Sequence, residues 1–171
     1  MTGVGPIGIG AALFARFKGA HVTLLDLSTE RLAMAADKFG FDSGHTSADA
    51  AIKATDGEGY DVLFDATGYG GAIEAGFPAV AHGGSYVLVS VVKDDITFND
   101  PEFHKREMRL IGSRNALKAD FDWVMSAFRD NLIDADALCS NVISLDDLTT
   151  AFGELAAGRA GLIKAIVQLN D

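Results

Sequence analysis

Apolar positions along this chain fall into two alternating patterns. Short, nearly continuous apolar runs occupy 21–26, 61–66, 85–92 and 108–112, and each is strand-length. Between them, apolar residues recur at three- and four-residue spacing. Residues 7–18 predict a helix ended by Gly19. Ser28 is placed to cap a second helix, whose Leu32, Ala35, Ala36 and Phe39 form one apolar face, and Gly40 ends it. Residues 47–55 predict a short helix, and 72–81 a longer one that Pro78 bends or shortens. Gly83-Gly84 reads as a turn, and 100–107 as a helical turn. Continuous apolar strands separated by helices predict an α/β fold with a parallel sheet covered on both faces.

The last third changes character. Phe121, Val124, Met125 and Phe128 share one helix face. Ser144-Leu145-Asp146-Asp147 resembles a capping box, opening a helix with Leu148, Ala151, Phe152 and Leu155 on one side and Gly158 at its end. Residues 164–169 predict a closing strand. With no repeat and no linker composition, the pattern predicts one domain over 1–171, with about 116–171 as a C-terminal return segment.

The glycines carry the first chemical signal. Gly3-Val4-Gly5-Pro6-Ile7-Gly8 is a glycine-rich turn that opens the first helix. Gly3 allows a tight turn, Gly5 lets the backbone approach a pyrophosphate, and Gly8 lets helix and sheet pack closely. Pro6 suits a first-turn position, and the helix beginning there, with Ile7, aims free N–H groups and a positive dipole end at phosphates. The reading is a Rossmann-type doubly wound parallel sheet. Only Met1 and Thr2 precede the turn, so that sheet is expected to lack its first strand. Such a gap leaves two inner strand edges unpaired or forces them to pair with each other, and marginal stability follows.

Asp26 ends the second predicted strand, 18 residues after Gly8. A carboxylate there accepts from both ribose hydroxyls of an adenosine and repels a 2′-phosphate, which selects NAD over NADP. The competing reading is a turn cap ahead of Ser28. Arg31, on the following helix, either reaches the adenosine half or is a solvated charge. Ligands of open parallel sheets bind at the carboxyl ends of the strands. That rule nominates Ala66, Thr67 and Gly68 along the dinucleotide backbone, and Val89, Ser90 and Val91 at the nicotinamide carboxamide, against plain strand termination.

The bulk properties then exclude classes. The net charge is −10, from 24 acidic and 14 basic residues, and the basic residues are scattered. That argues against nucleic acid and anionic membranes as partners. No apolar run is long enough to span a bilayer, and no basic segment leads into an apolar one, so a cytoplasmic location is expected. Cys139 is the single cysteine, which excludes an intrachain disulfide and a cysteine-rich zinc site and predicts a small buried residue. The four histidines show no metal spacing; His104 and Glu107 read as solvated surface rather than a metal pair. No catalytic residue is assigned.

Taken in order, the glycine turn, Val22-Thr23-Leu24-Leu25-Asp26 with Glu30-Arg31-Leu32, Asp61-Val62-Leu63-Phe64-Asp65-Ala66-Thr67-Gly68 and Gly83-Gly84-Ser85-Tyr86-Val87-Leu88-Val89 resemble the medium-chain, zinc-type alcohol dehydrogenases. Ala151-Phe152 and Lys164-Ala165-Ile166-Val167 continue the likeness. Residues 103–115, from Phe103-His104-Lys105 to Ser113-Arg114-Asn115, are similar to the polyol and sugar-acid branch, such as sorbitol-type or galactonate/gulonate 5-dehydrogenases. The resemblance implies that Arg114 and Asn115 contact cofactor or substrate. It implies a small hydroxy substrate, NAD, and zinc held only by an N-terminal catalytic domain that this stretch does not contain. It also implies a homo-oligomer in the complete enzyme. On this reading the chain is the cofactor-binding part of a secondary-alcohol dehydrogenase and inactive alone. The alternative is a stand-alone NAD-binding or regulatory module without catalysis.

Overall fold

The computed structural model describes residues 1–42, 44–157 and 162–169, and the chain forms two compact units, Met1–Asn115 and Ala116–Asp171. In the first unit the elements run α1 (Pro6–Phe17), β1 (Leu24–Leu25), α2 (Thr29–Phe39), β2 (Gly44–His45), α3 (Ala48–Lys53), β3 (Tyr60–Asp65), α4 (Gly70–Gly76), β4 (Val80–Leu88), α5 (Asp100–Lys105) and β5 (Arg109–Gly112). A single 3₁₀ turn, Phe77–Ala79, sits at Pro78 and ends α4. That is the bend expected where a proline removes a helical N–H.

All strand pairs are parallel. β1 pairs β2, while β3, β4 and β5 form a three-stranded set. The gap between β1 and β3 is filled by neither of the expected outcomes. Met1 and Thr2 enter it as a two-residue stub. Thr2 bridges Leu25 on one side and Asp65 on the other. Thr2 N donates to Phe64 O and Ala66 N to Thr2 O, both at 2.8 Å, while Leu25 N donates to Met1 O and Gly3 N to Leu25 O, also at 2.8 Å. The Met1 ammonium donates to Thr23 O at 2.8 Å, and its burial lowers its pKa to about 6. The spatial order is therefore β2-β1-stub-β3-β4-β5. Val62, in β3 beside the stub, is 46% exposed.

Local chemistry explains the elements. Ser28 accepts from Arg31 N and caps α2, and Gly40, at φ +65°, ends it. Ser47 caps α3 through Ala50 N. Arg16 of α1 donates to Phe39 O at 2.7 Å and lies 4.3 Å from the Phe41 ring centroid, tying α1 to the end of α2. Leu63, Ile73, Phe77, Val80, Tyr86 and Met108 form a buried cluster. There the Tyr86 hydroxyl donates to Ile73 O at 3.1 Å. The phenol pKa is raised by burial first and by the Asp65 charge second. Gly83-Gly84, read as a turn, instead lies inside β4, where the register with β3 shifts between Tyr60 and Val62. A Cβ on Gly84 would sit 2.8 Å from Ala81 O and 3.1 Å from Asp61 O, so the bulge needs a bare backbone there.

The second unit contains α6 (Lys118–Arg129), α7 (Ala135–Leu138), β6 (Asn141–Ser144), α8 (Leu148–Ala156) and β7 (Ala165–Gln168). β6 and β7 pair in parallel from Asn141↔Ala165 to Ser144↔Gln168. Ser144 and Asp147 exchange two bonds ahead of α8, Oγ to Oδ2 at 2.7 Å and Asp147 N to Oγ at 3.1 Å. The helix end expected at Gly158 lies outside the described residues. Cys139 is half-buried rather than buried.

Candidate functional site: a cleft at the strand ends

The glycine turn is shaped by contacts that a side chain would destroy. Gly3 has φ +89°, and a Cβ there would press on the Ala66 carbonyl at 3.0 Å. A Cβ on Gly8 would fall 1.8 Å from Gly3 O, so α1 can start this close to the turn only with glycine. Gly5 differs. A Cβ there would meet no atom within 4 Å, so the fold itself does not require that glycine. An open space before the first turn of a 12-residue helix is where a phosphate approaches unpaired N–H groups.

Asp26 fixes the turn from the other side. Its Oδ2 accepts from Val4 N at 2.7 Å and its Oδ1 from Ser28 N at 2.9 Å. Arg31 Nη1 stands 3.7 Å from Oδ2, and the Asp26 side chain keeps 10% exposure. A carboxylate has about four acceptor sites, so two fixed bonds leave room for ribose hydroxyls. Both readings of Asp26, turn cap and ribose acceptor, are therefore compatible in one residue.

These groups line a cavity of about 640 Å³. Of the residues expected at the site, Gly3, Gly5, Asp26, Arg31, Ala66 and Thr67 all face it. Pro6, Ile7 and Gly8 form the first turn of α1 beside it. Gly68 follows in the turn at φ +69°. Val89, Ser90 and Val91 follow β4 and do not line this cavity; Val91 is 78% exposed, and Ser90 Oγ donates to Asp65 Oδ2. Arg114 and Asn115 follow β5 as exposed residues outside the cavity, with Asn115 in the left-handed region.

The cavity also draws on residues that the sequence did not single out. Leu27, Thr46, Ser47 and Tyr69 line it, as does Thr2, whose buried Oγ1 has no hydrogen-bond partner. A buried hydroxyl left unpaired costs free energy unless a ligand or water completes it. Together with the bare Gly5, it makes the cleft a fit for a polar, phosphate-bearing molecule. Among the described residues no group of three or more His, Cys, Asp or Glu side chains is placed to hold a metal. No described helix is long and apolar enough to cross a membrane.

Comparison with known proteins bears on family and fold. Residues 6–130 match the family model described as zinc-binding dehydrogenase. L-galactonate-5-dehydrogenase of Escherichia coli K12 is 32% identical over 171 residues, covering 98% of this chain and 50% of that protein. Sorbitol dehydrogenase of Halalkalibacterium halodurans is 27% identical, covering 94% and 49%. The 2R,3R-butanediol dehydrogenase of Bacillus subtilis superposes with a TM-score of 0.85 at 24% identity, over 99% of this chain and 50% of its own. An alcohol dehydrogenase of E. coli CFT073, solved with NADH, superposes with a TM-score of 0.87 at 17% identity, over 98% and 51%. The fold is thus the Rossmann-type parallel α/β arrangement, and the chain spans about half the length of the relatives it matches.

Proposed function

The chain belongs to the zinc-binding dehydrogenase family, and from that premise we propose that its first unit binds NAD in the cleft between the glycine turn and Asp26. The adenosine ribose hydroxyls donate to the free acceptor sites of Asp26. The pyrophosphate lies over Gly5 at the N-terminus of α1, and Val89, Ser90 and Val91, with Arg114 and Asn115, serve the nicotinamide end. When bound, the nicotinamide supplies a hydride acceptor. The protein groups bind and orient it. The observation that carries this reading is the pairing of Asp26 with Val4 N and Ser28 N while its carboxylate still faces the cavity.

In this reading the chain is the cofactor-binding part of an enzyme that oxidises a secondary hydroxyl of a polyol or sugar acid to a ketone. The support is the run of curated relatives named for sugar-acid and polyol substrates. By the family resemblance zinc is assigned to the catalytic domain of the complete enzyme, and the 171-residue chain alone is expected not to turn over an alcohol. The exposed β5 edge supports assembly with a second copy, since Leu110 and Ile111 lie open there.

Titration of the 171-residue chain with NADH and NADPH tests the first step. NADH binding is expected to be tighter by about tenfold or more, some 1.4 kcal/mol, and Asp26→Ser should shrink that margin. Equal affinity for the two would overturn the NAD assignment. Joining the chain to a catalytic half from a relative and assaying NAD-linked oxidation across polyols and sugar acids tests the second; silence across the panel removes the substrate class.

A further inference from the structure

Asp65 is the one charged side chain fully buried among the described residues. No described cation lies within ion-pair distance of it. An unpaired buried carboxylate is costly, and an apolar residue would keep the same backbone pairing with Leu88. The sheet itself therefore gives no reason for the charge.

Its partners give one. Asp65 accepts from Thr67 Oγ1 at 2.8 Å, from Thr67 N at 3.2 Å and from Ser90 Oγ. Its own carbonyl accepts from Val89 N at 2.9 Å and Ser90 N at 3.1 Å. Every side-chain bond thus runs to a residue just past the end of β3 or β4. Thr67 lines the cavity, and Ser90 precedes the exposed Val91. Asp65 does not line the cavity itself. It is placed to act through these two neighbours.

We infer that Asp65 is a positioning residue that locks the two adjacent strand ends, Thr67 beside the dinucleotide backbone and Ser90 towards the nicotinamide, into the arrangement that receives the cofactor before it binds. This rests on the NAD reading above. A fixed acceptor with three donors spares the site the ordering cost that binding would otherwise carry. Asparagine retains an acceptor for Thr67 Oγ1 and offers an amide that the Ser90 hydroxyl can accept from, so it preserves most of the clamp.

The test is binding of NADH and of adenosine 5′-monophosphate to the 171-residue chain and its Asp65→Ala and Asp65→Asn variants, with amide exchange of the ligand-free forms. On the NAD reading NADH reaches both Thr67 and Ser90, whereas the mononucleotide lacks the half that reaches Ser90. Asp65→Ala is expected to weaken NADH by about tenfold and the mononucleotide by less than about threefold. Asp65→Asn is expected to recover most of the NADH loss. Exchange in Asp65→Ala is expected to quicken at 66–68 and 89–91 while the rest of the first unit keeps its protection. If Asp65→Ala binds NADH within twofold of the unaltered chain, loses both ligands alike, or keeps its exchange pattern, the inference is overturned. If the unaltered chain binds neither ligand, the NAD reading has failed and the inference falls with it. If Asp65→Ala loses protection throughout, the residue serves general folding and the inference is likewise overturned.

Discussion

The two units of this chain solve the problem of burial differently. The first encloses Leu63, Ile73, Phe77, Val80, Tyr86 and Met108 in a connected cluster. The second buries only Ala127, Ile133 and Ile163 among its described residues, while Phe121 and Phe152 remain 63% and 62% exposed. Its two-stranded sheet is too small to hold a face against water alone. Amphipathic patterning is equally clear in both, at Leu32–Phe39 and at Phe121–Phe128. Patterning therefore announces an intended buried face without saying which neighbour buries it.

The sharpest way to break this comparison is to separate the units. Residues 1–115 expressed alone are expected to melt cooperatively, and 116–171 alone to show no cooperative transition in circular dichroism. A cooperative melt of the second piece would erase the distinction. Next in size, Phe77→Ala is expected to cost about 3–5 kcal/mol in denaturant unfolding. Phe152→Ala, in the second unit, should change stability by no more than about 0.5 kcal/mol.

A pH series probes the first unit at its stub. Folding depresses the Met1 ammonium pKa from 8.0 to about 6. The folded state then holds fewer protons than the unfolded one between those values, so stability rises with pH across that window. The contribution is complete above about pH 8 and lost as pH falls through about 6. Its size is about 2–3 kcal/mol. Nα-acetylation should remove this slope, and an unchanged slope would assign it to other groups. Gly153→Ala in α8, where a Cβ meets nothing within 4 Å, acts in the opposite direction. It should stabilise the 171-residue chain by about 0.5–1 kcal/mol, read as a shift in that chain's unfolding midpoint.

Legibility followed the length of the signal. α1, α2, β3 and β5 were readable because several residues repeat one period and Ser28, Gly19 and Gly40 mark their ends. β2 was not, since Gly44-His45 gives two residues and no period. β6 was hidden because Val142-Ile143 is too short an apolar run, and its pairing with β7 comes from 24 residues away. Gly83-Gly84 misled, because the same freedom that makes a turn also makes a bulge. In the cleft, Gly3, Gly5 and Asp26 were legible through the glycine turn and the carboxylate spaced after it, and Ala66 and Thr67 through the rule about strand ends. Thr46, Ser47 and Tyr69 were not, because only the folded path of the loops brings them to the cleft. Val89–Val91 followed the strand-end rule, and Arg114 and Asn115 the family resemblance, but all five lie outside the cavity that the others share.

The Met1–Thr2 stub has a practical bearing on how the protein is handled. Its first amine is a hydrogen-bond donor inside a sheet, not a free handle in solvent. An affinity tag fused ahead of Met1 would leave the sheet between β1 and β3, near the exposed Val62. Any extended run in that tag would then be offered strand edges to zip onto. Purification handles placed there would report on the tag's own sequence as much as on the protein.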